Sequence, residues 1–525
     1  MKTKILLFCV TFFLFFDLFS NETVNSYHED YLETLFLQGE IDTPYLNYGS
    51  YSSNKWDESG NGLWKDQRKE EEYFHITENS YFTILDTSLF QSYNLNTPHG
   101  MNDGSLWQGR GYNMQLDGGI AFKSPCVDII IDPELNFSQN LDYDIQEASR
   151  YSGSEYGYMY YGIDLPQRFG DDALGYWDYG QSQIRFNYNS WTLGFGNEEV
   201  WIGPGEQNAL ILSNNAGGFP HIDFGLNKTE TRFGDMEFRM WWGWLKSSEY
   251  FEKAPDEYQD FISGLSISYA PSFLPELVIG FHRTAQVSFN DYTYESILEP
   301  LNFGITSGML EFGQDETDGR ASLTFSWLFP ASGAEFYGEW MREDYSPNIS
   351  GWIETPEHTA AYTLGFKKNI FLKNREKYFE LNGELSSTVW SMDYMLSDSW
   401  GGGFYRHHKT NLGYTSQGQI LGAGIGSASN YQYLGLDFYA PFGKLGTYIS
   451  RYKQDDTLLY SLDGSDDNND RIPVEIAAGL SGSYFINKKS ILSLEVAYIF
   501  NKNWNLEADN DLHGIYISTL YSYRF

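Results

Sequence analysis

The chain is poor in cysteine, with two in 525 residues, Cys9 and Cys126. Cys9 lies inside the apolar run Ile5–Phe16, so removal of that run leaves one thiol and excludes an intrachain disulfide. Long hydrophobic stretches are also missing. The N-terminal run is short of the ~20 apolar residues a helical span needs, and nothing downstream approaches that length. A membrane-spanning helix is therefore excluded, and membrane residence has to come from strands. Positive charge is scarce: 34 Lys+Arg stand against 71 Asp+Glu, a formal net charge of −37. No basic surface is left to neutralise phosphates, which excludes nucleic acid as a partner. Catalytic signatures are absent too, with no nucleophile-elbow sequence and no His-Glu-x-x-His zinc motif. The expectation is a protein that is not an enzyme and takes no cofactor and no metal.

What is present lies first at the two ends. Met1-Lys2-Thr3-Lys4 is a basic lead into the apolar run, Asp17 closes it, and Ser20 is a small residue before a cleavage point. Residues 1–20 read as a cleaved signal peptide. Its removal takes Lys+Arg from 34 to 32 and Asp+Glu from 71 to 70, a formal charge of −38. At the other end, Ile515, Ile517, Tyr521, Tyr523 and Phe525 fall on one face of a strand, and Tyr516, Ser518, Leu520, Ser522 and Arg524 on the other. An amphipathic strand ending on an aromatic residue is the form taken by the closing strand of an outer-membrane β-barrel.

Between the ends, aromatic residues make up 18% of the chain and 51 glycines accompany 16 prolines. Barrels place Tyr and Trp at both membrane interfaces, and sugar-binding surfaces use the same rings as stacking platforms. Composition does not separate the two uses. Residues 21–78 differ from the rest: Tyr31 to Leu37 has helical spacing, Gly39 ends it, and Trp56 and Trp64 stand among glycines. This region reads as a small, partly helical plug on the periplasmic side and not as a strand-forming region.

Residues 79–525 return repeatedly to period 2. Phe379, Leu381, Leu385 and Val389 alternate with Glu380, Asn382, Glu384 and Ser386, and Leu492, Leu494, Val496, Tyr498 and Phe500 repeat the pattern. Such segments number about eighteen, with about 25 residues for each strand and its loop, where a span needs about 9–11. The fold class expected is all-β, a transmembrane antiparallel β-barrel of about eighteen strands. Inward positions such as Glu380, Glu384 and Glu495 suit a polar lumen. Tyr143–Asp178 and Lys453–Arg471 are the candidate long extracellular loops.

Several segments then resemble a known family. His99-Gly-Met-Asn-Asp-Gly-Ser-Leu-Trp-Gln-Gly-Arg-Gly111 is similar to the hallmark segment of the Wzi-type capsule assembly family. Gly203-Pro204-Gly205, Asn208 and Ser213-Asn-Asn-Ala-Gly-Gly-Phe-Pro-His221 are similar to its central motif. Glu335–Glu343, Pro356–Gly365 and Phe404–His408 with Gly418–Gly426 continue the likeness in order, from about residue 30 to the C-terminus. Gly217 departs from it, standing where the pattern has proline. The resemblance implies an outer-membrane lectin-like barrel that attaches capsular or extracellular polysaccharide to the cell surface. Partners would then be that polysaccharide, outer-membrane lipid and lipopolysaccharide, and the barrel assembly machinery during biogenesis. The alternative is a porin or sugar-specific diffusion channel.

Candidate sugar contacts follow from polarity and from that resemblance. Asn102 and Asp103 offer hydrogen bonds, Trp107 a stacking plane and Arg110 a bidentate donor. Asn214, Asn215 and His221 could again meet a glycan, or serve as the fixings of an inward loop. Arg406, His407 and His408 form a positive knot that would attract an anionic sugar. Asp463, Asp466, Asp467 and Asp470 lack calcium-loop spacing and read as a solvated loop. Glu339 with Glu343 is a carboxylate pair of the kind that acts on glycosidic bonds, or part of an inward charge ladder.

Overall fold

The computed structural model describes residues 27–56, 62–67, 73–146, 154–157, 163–251, 259–301, 317–343, 353, 356–372, 377–389, 404–407, 410, 412–455 and 468–524. The expected signal peptide, His408, Asp463, Asp466 and Asp467 lie outside them.

The period-2 sequence becomes one antiparallel sheet of 23 strand segments. From Trp191–Gly196 onward each strand pairs with the next in the sheet, ending with Ser490–Lys502 against Leu512–Tyr523. The last strand's free edge meets Thr87–Asn94, with Tyr516 opposite Asn94 and Tyr523 opposite Thr87. Alternation sets the faces. In the last strand Ile515, Ile517 and Tyr521 are exposed, while Tyr516, Ser518 and Ser522 are buried. Leu492, Leu494, Val496 and Tyr498 are likewise exposed, as are Leu323, Phe325 and Trp327.

The buried face is the polar one. Arg185, Asp223, Glu237, Arg239, Asp318, Arg320, Glu339, Glu343, Glu380 and Glu384 are all buried on it. Buried charge is tolerable only when paired or hydrogen-bonded. Here Arg185 bridges Glu198 at 2.5 Å and Asp223 at 2.8 Å, and Arg239 reaches Asp223 at 2.7 Å. The usual burial pattern of a soluble protein is thus largely inverted along these strands, with apolar exceptions such as Trp241 and Met341 where loops pack on the buried face.

One end of the sheet has short connections, such as residues 232–233, 441–442 and 488–489, and the other has long ones, such as 95–110, 139–173 and 197–220. The helix Tyr27–Leu37 sits at the short end. Its spacing puts Tyr31, Leu32 and Leu35 on one buried stripe. Gly39, at φ +71°, ends it: Gly39 N–H donates to Phe36 O and Glu40 N–H to Leu35 O, the paired bonds of a Schellman turn. Tyr31 stacks on Trp64 at 4.0 Å, and Trp64 meets Phe485 edge-on and donates Nε1–H to Ala440 O. Lys367 reaches Glu33 at 2.7 Å and Lys444 reaches Asp30 at 2.8 Å, tying helix to sheet.

The region 21–78 does form strands, contrary to expectation. Phe74–Thr77 pairs with Ser80–Ile84, and Tyr48–Ser50 pairs with Val200–Ile202 of an inward loop. The pattern was too short to register as alternation. Both the 46–54 segment and the 197–220 loop press on the buried face, where strand glutamates bind their main chain. Glu237 accepts N–H groups of Leu46, Asn47 and Tyr48 at 3.0–3.2 Å. Glu384 accepts those of Glu206, Gln207 and Asn208, and Glu339 that of Leu210. Glu343 accepts Tyr405 N–H and pairs with Arg320 at 2.5 Å. Above these anchors lies an apolar cluster including Ile202, Leu210, Trp241, Phe404, Tyr414 and Leu421.

Candidate functional site

At the long-connection end the loops enclose a cleft of about 340 Å³, within the ~300–1,000 Å³ range of small-ligand sites. Two of the motifs singled out in sequence meet there. Asn94 Nδ2 donates to the carbonyls of His99 and Gly109, which folds the 95–110 connection back on itself. Gly104, at φ +60°, then donates its N–H to Asn214 O at 2.7 Å. Its left-handed backbone favours glycine, and a Cβ there would stand 2.3 Å from Glu199 Oε1 and push that side chain aside. Asn102 Nδ2 donates to Gln207 O at 2.8 Å, and Asn215 Nδ2 to Ile420 O at 3.0 Å. Gly217 packs on Ser105, 2.9 Å from where a side chain would begin; this close approach occupies the position at which proline was expected.

Of the candidate residues, Asn102, Asp103, Trp107 and Asn215 line the cleft. Asn214 lies behind it, buried, with Oδ1 unbonded. Arg110 does not line it: its guanidinium donates to the main-chain carbonyls of Leu95 and Asp142, locking two loops together. His221 is buried at a strand start, with Nδ1 2.8 Å from Phe219 O. Arg406 and His407 also stand apart from the lining, and Asp470 is exposed.

The sequence reading missed half of the wall. Tyr143, Phe169, Tyr452 and Trp504 come from three other connections or strand ends. The Trp107 ring lies 4.8 Å from that of Phe169, tilted by 39°. Trp504 Nε1 and Asn505 Nδ2 both donate to Asp144 O, at 3.0 and 2.9 Å, closing the rim. Only the 143–178 loop had a usable signal, its tyrosine and glycine content. Between the rings stand amides: Gln108, Gln146, Gln167, Gln419 and Gln454. Such a wall offers donors and acceptors to hydroxyl groups and ring faces to C–H groups.

Charge in the cleft is sparse and mostly negative. His99 is 3.1 Å from Glu475; burial alone would push its pKa down, but the carboxylate outweighs this and raises it above the ordinary value. Burial pushes the Asp103 carboxyl up to about 7, against the opposing pull of a Gln108 hydrogen bond and of His99.

Other constellations are closed. Glu198, His221 and Asp223 lie within 4.8 Å of one another, yet Arg185 and Arg239 already pair with the two carboxylates, an arrangement that does not suit a metal ion. Glu339 accepts a loop N–H through Oε2, Glu343 accepts another and pairs with Arg320, and both carboxylates are buried beneath the loops. Ser266 bonds His282 at 2.8 Å, but both are sealed from solvent.

The comparisons with known proteins agree with this architecture. The family described as capsule assembly protein Wzi matches residues 143–512. The solved Wzi of Escherichia coli, described as an outer membrane protein involved in group 1 capsule assembly and a carbohydrate-binding β-barrel, is 12% identical. The likeness covers 97% of this chain and 100% of that one with a TM-score of 0.60, which shows a shared fold. OccAB3 and OccAB2 of Acinetobacter baumannii are 10% identical over 86% and 85% of this chain, and 100% and 98% of their own, with TM-scores of 0.44 and 0.42. No curated protein sequence matches this chain. With a family match over well more than half of its residues, a β-barrel fold and an inward-folded loop set, the chain belongs to the Wzi family of capsule assembly proteins.

Proposed function

We propose that this chain resides in the outer membrane and holds a surface polysaccharide there, lectin-fashion, through the cleft at its long-connection end. The observation that carries the reading is the pairing of an aromatic and amide cleft with a blocked interior. Trp107, Phe169 and Trp504 present rings among glutamines, while the 197–220 loop fills the space beneath. A diffusion channel would keep that space open, as wide barrels that conduct do.

The proposed barrel is closed and has eighteen strands. The 23 segments reduce to that number when four kinked strands (80–94, 111–123, 127–138 and 174–188) are each counted once and Phe74–Thr77 is set aside. The pairing of Leu512–Tyr523 with Thr87–Asn94 supports closure. The exposed apolar residues would face lipid, since at about 25 cal/mol per Å² such a surface is costly in water. Short connections and the helical plug would then face the periplasm and the cleft would face outward, after cleavage of the signal peptide 1–20.

The test compares cell-bound with released polysaccharide in cells lacking the protein, with total polysaccharide as control. The expected outcome is an unchanged total with a larger released share. Equal partition in both strains would remove the anchoring role, and conductance of the purified barrel would then be measured.

A further inference from the structure

Resting on the reading of the cleft as a saccharide site, we infer that it takes uncharged sugar units, neutral hexoses or N-acetylated amino sugars, and rejects uronates and other acidic residues. Among the described residues, no lysine or arginine lines the cleft. Its acidic and basic side chains are His99, Asp103 and Asp144. His99 is committed to Glu475 at 3.1 Å, so its charge is answered within the protein. Asp144 is exposed at the rim, and Asp103 sits deeper, beside Gln108.

The two arginines among the described residues of the adjoining loops, Arg110 and Arg168, are also committed. Arg110 donates to two main-chain carbonyls. Arg168 pairs with Asp142 at 2.7 Å and Asp171 at 3.1 Å, with its guanidinium buried. A carboxylate sugar entering the cleft would lose hydration, meet two like charges and gain no guanidinium fork, the arrangement that normally recognises carboxylates. Like-charge juxtaposition at an interface is strongly unfavourable, and the −37 formal charge of the whole chain opposes a polyanion at longer range.

An uncharged sugar meets the opposite balance. Asn102, Gln146 and Ser427 line the cleft and give it uncharged side chains of the kind that donate to and accept from hydroxyl or N-acetyl groups. The Trp107 and Phe169 rings, tilted and half-buried, leave ring faces for the C–H face of a pyranose. Burial raises the Asp103 carboxyl to about 7, so its share of the repulsion is largest above that pH and fades as the carboxyl protonates.

The experiment uses the full-length protein in detergent and a partial hydrolysate of the surface polysaccharide from cells that make it. Anion exchange splits the hydrolysate into uncharged and anionic oligosaccharides. Binding of each fraction is read by saturation-transfer NMR and tryptophan fluorescence. The expected result is at least about tenfold tighter binding of the uncharged fraction, ~1.4 kcal/mol. Asp103→Asn should narrow that difference by improving the anionic fraction, while Trp107→Ala should weaken both. Equal or tighter binding of the anionic fraction overturns the charge inference and leaves the anchoring role intact. Binding of neither fraction overturns the saccharide site itself, and the inference with it.

Discussion

The two ends of the sheet use the same kinds of residue to opposite effect. At the short-connection end, Tyr31 and Trp64 lie face to face at 4.0 Å, almost wholly buried, and each nearby cation has a carboxylate. At the long-connection end, Trp107 and Phe169 are half-buried and tilted, and among the described residues no lysine or arginine lines the cleft they share. The first end has satisfied its rings and charges internally; the second holds them in reserve. An aromatic residue therefore signals closure or recognition only through what covers its face.

The comparison can be broken most severely at the closed end. Lys367 contacts Glu33 at 2.7 Å and Glu206 at 2.6 Å. Lys367→Met leaves both carboxylates uncompensated, a loss of about 3–5 kcal/mol. The expected outcome is proteolytic release of the helical segment from otherwise intact barrels, with saccharide affinity retained. If protection of the helix is unchanged, ion pairing is not what docks it.

Next in size is Trp107→Ala at the open end. Loss of a central aromatic anchor should weaken saccharide binding by about 2 kcal/mol, roughly thirtyfold, with thermal stability nearly unchanged because the ring is only half-buried. Isothermal titration checks the affinity and a heating series the stability. A large fall in stability would instead place Trp107 with the structural rings.

A smaller effect follows from Asp103, whose carboxyl burial pushes up to about 7. Because its folded value lies above the unfolded one, Asp103 opposes folding in full above about pH 7, and that penalty fades as pH falls from about 7 toward the unfolded carboxyl value of about 4. Gln108, His99 and Glu495 act on it, His99 favouring ionisation and Glu495 opposing it. Binding of acidic oligosaccharides should thus improve between pH 8 and pH 6, and Asp103→Asn should flatten the profile. A flat profile in the unsubstituted protein would mean that the carboxyl stays ionised.

The smallest change is expected from Arg406→Ala. The residue stands apart from the cleft lining, so affinity for uncharged oligosaccharide should shift by no more than the ~0.5 kcal/mol typical of distant substitutions. A tenfold loss would move the site toward the 404–407 loop.

The strands were legible because alternation is a local property. Ile515, Ile517 and Tyr521 can be assigned to one face from spacing alone, and they share the exposed face. Gly39 was legible as a helix end for the same reason. The strands within 21–78 were not, since three and four residues give no period. Within the site, Asn102, Asp103, Trp107 and Asn215 could be named from motifs. Arg110 was named with them but points to carbonyls, because an arginine's partner depends on which loop arrives beside it. Trp504 and Tyr452 had no local mark at all.

The amino-acid order by itself determined the class of structure: a charge of −37 without long apolar runs, and strands of period 2. Those properties are read from neighbours a few residues apart, and the handedness and reach of the chain leave them little choice. Tertiary structure alone decided that Glu237, Glu339 and Glu384 would bind loop N–H groups instead of lining an open channel. It also decided that rings from residues 107, 169 and 504 would share one cleft. Those outcomes depend on contacts between segments some 60 to 400 residues apart, where burial without a partner costs about 1–3 kcal/mol for each polar group. Satisfying that cost is a property of the whole packed chain, and no local pattern encodes it.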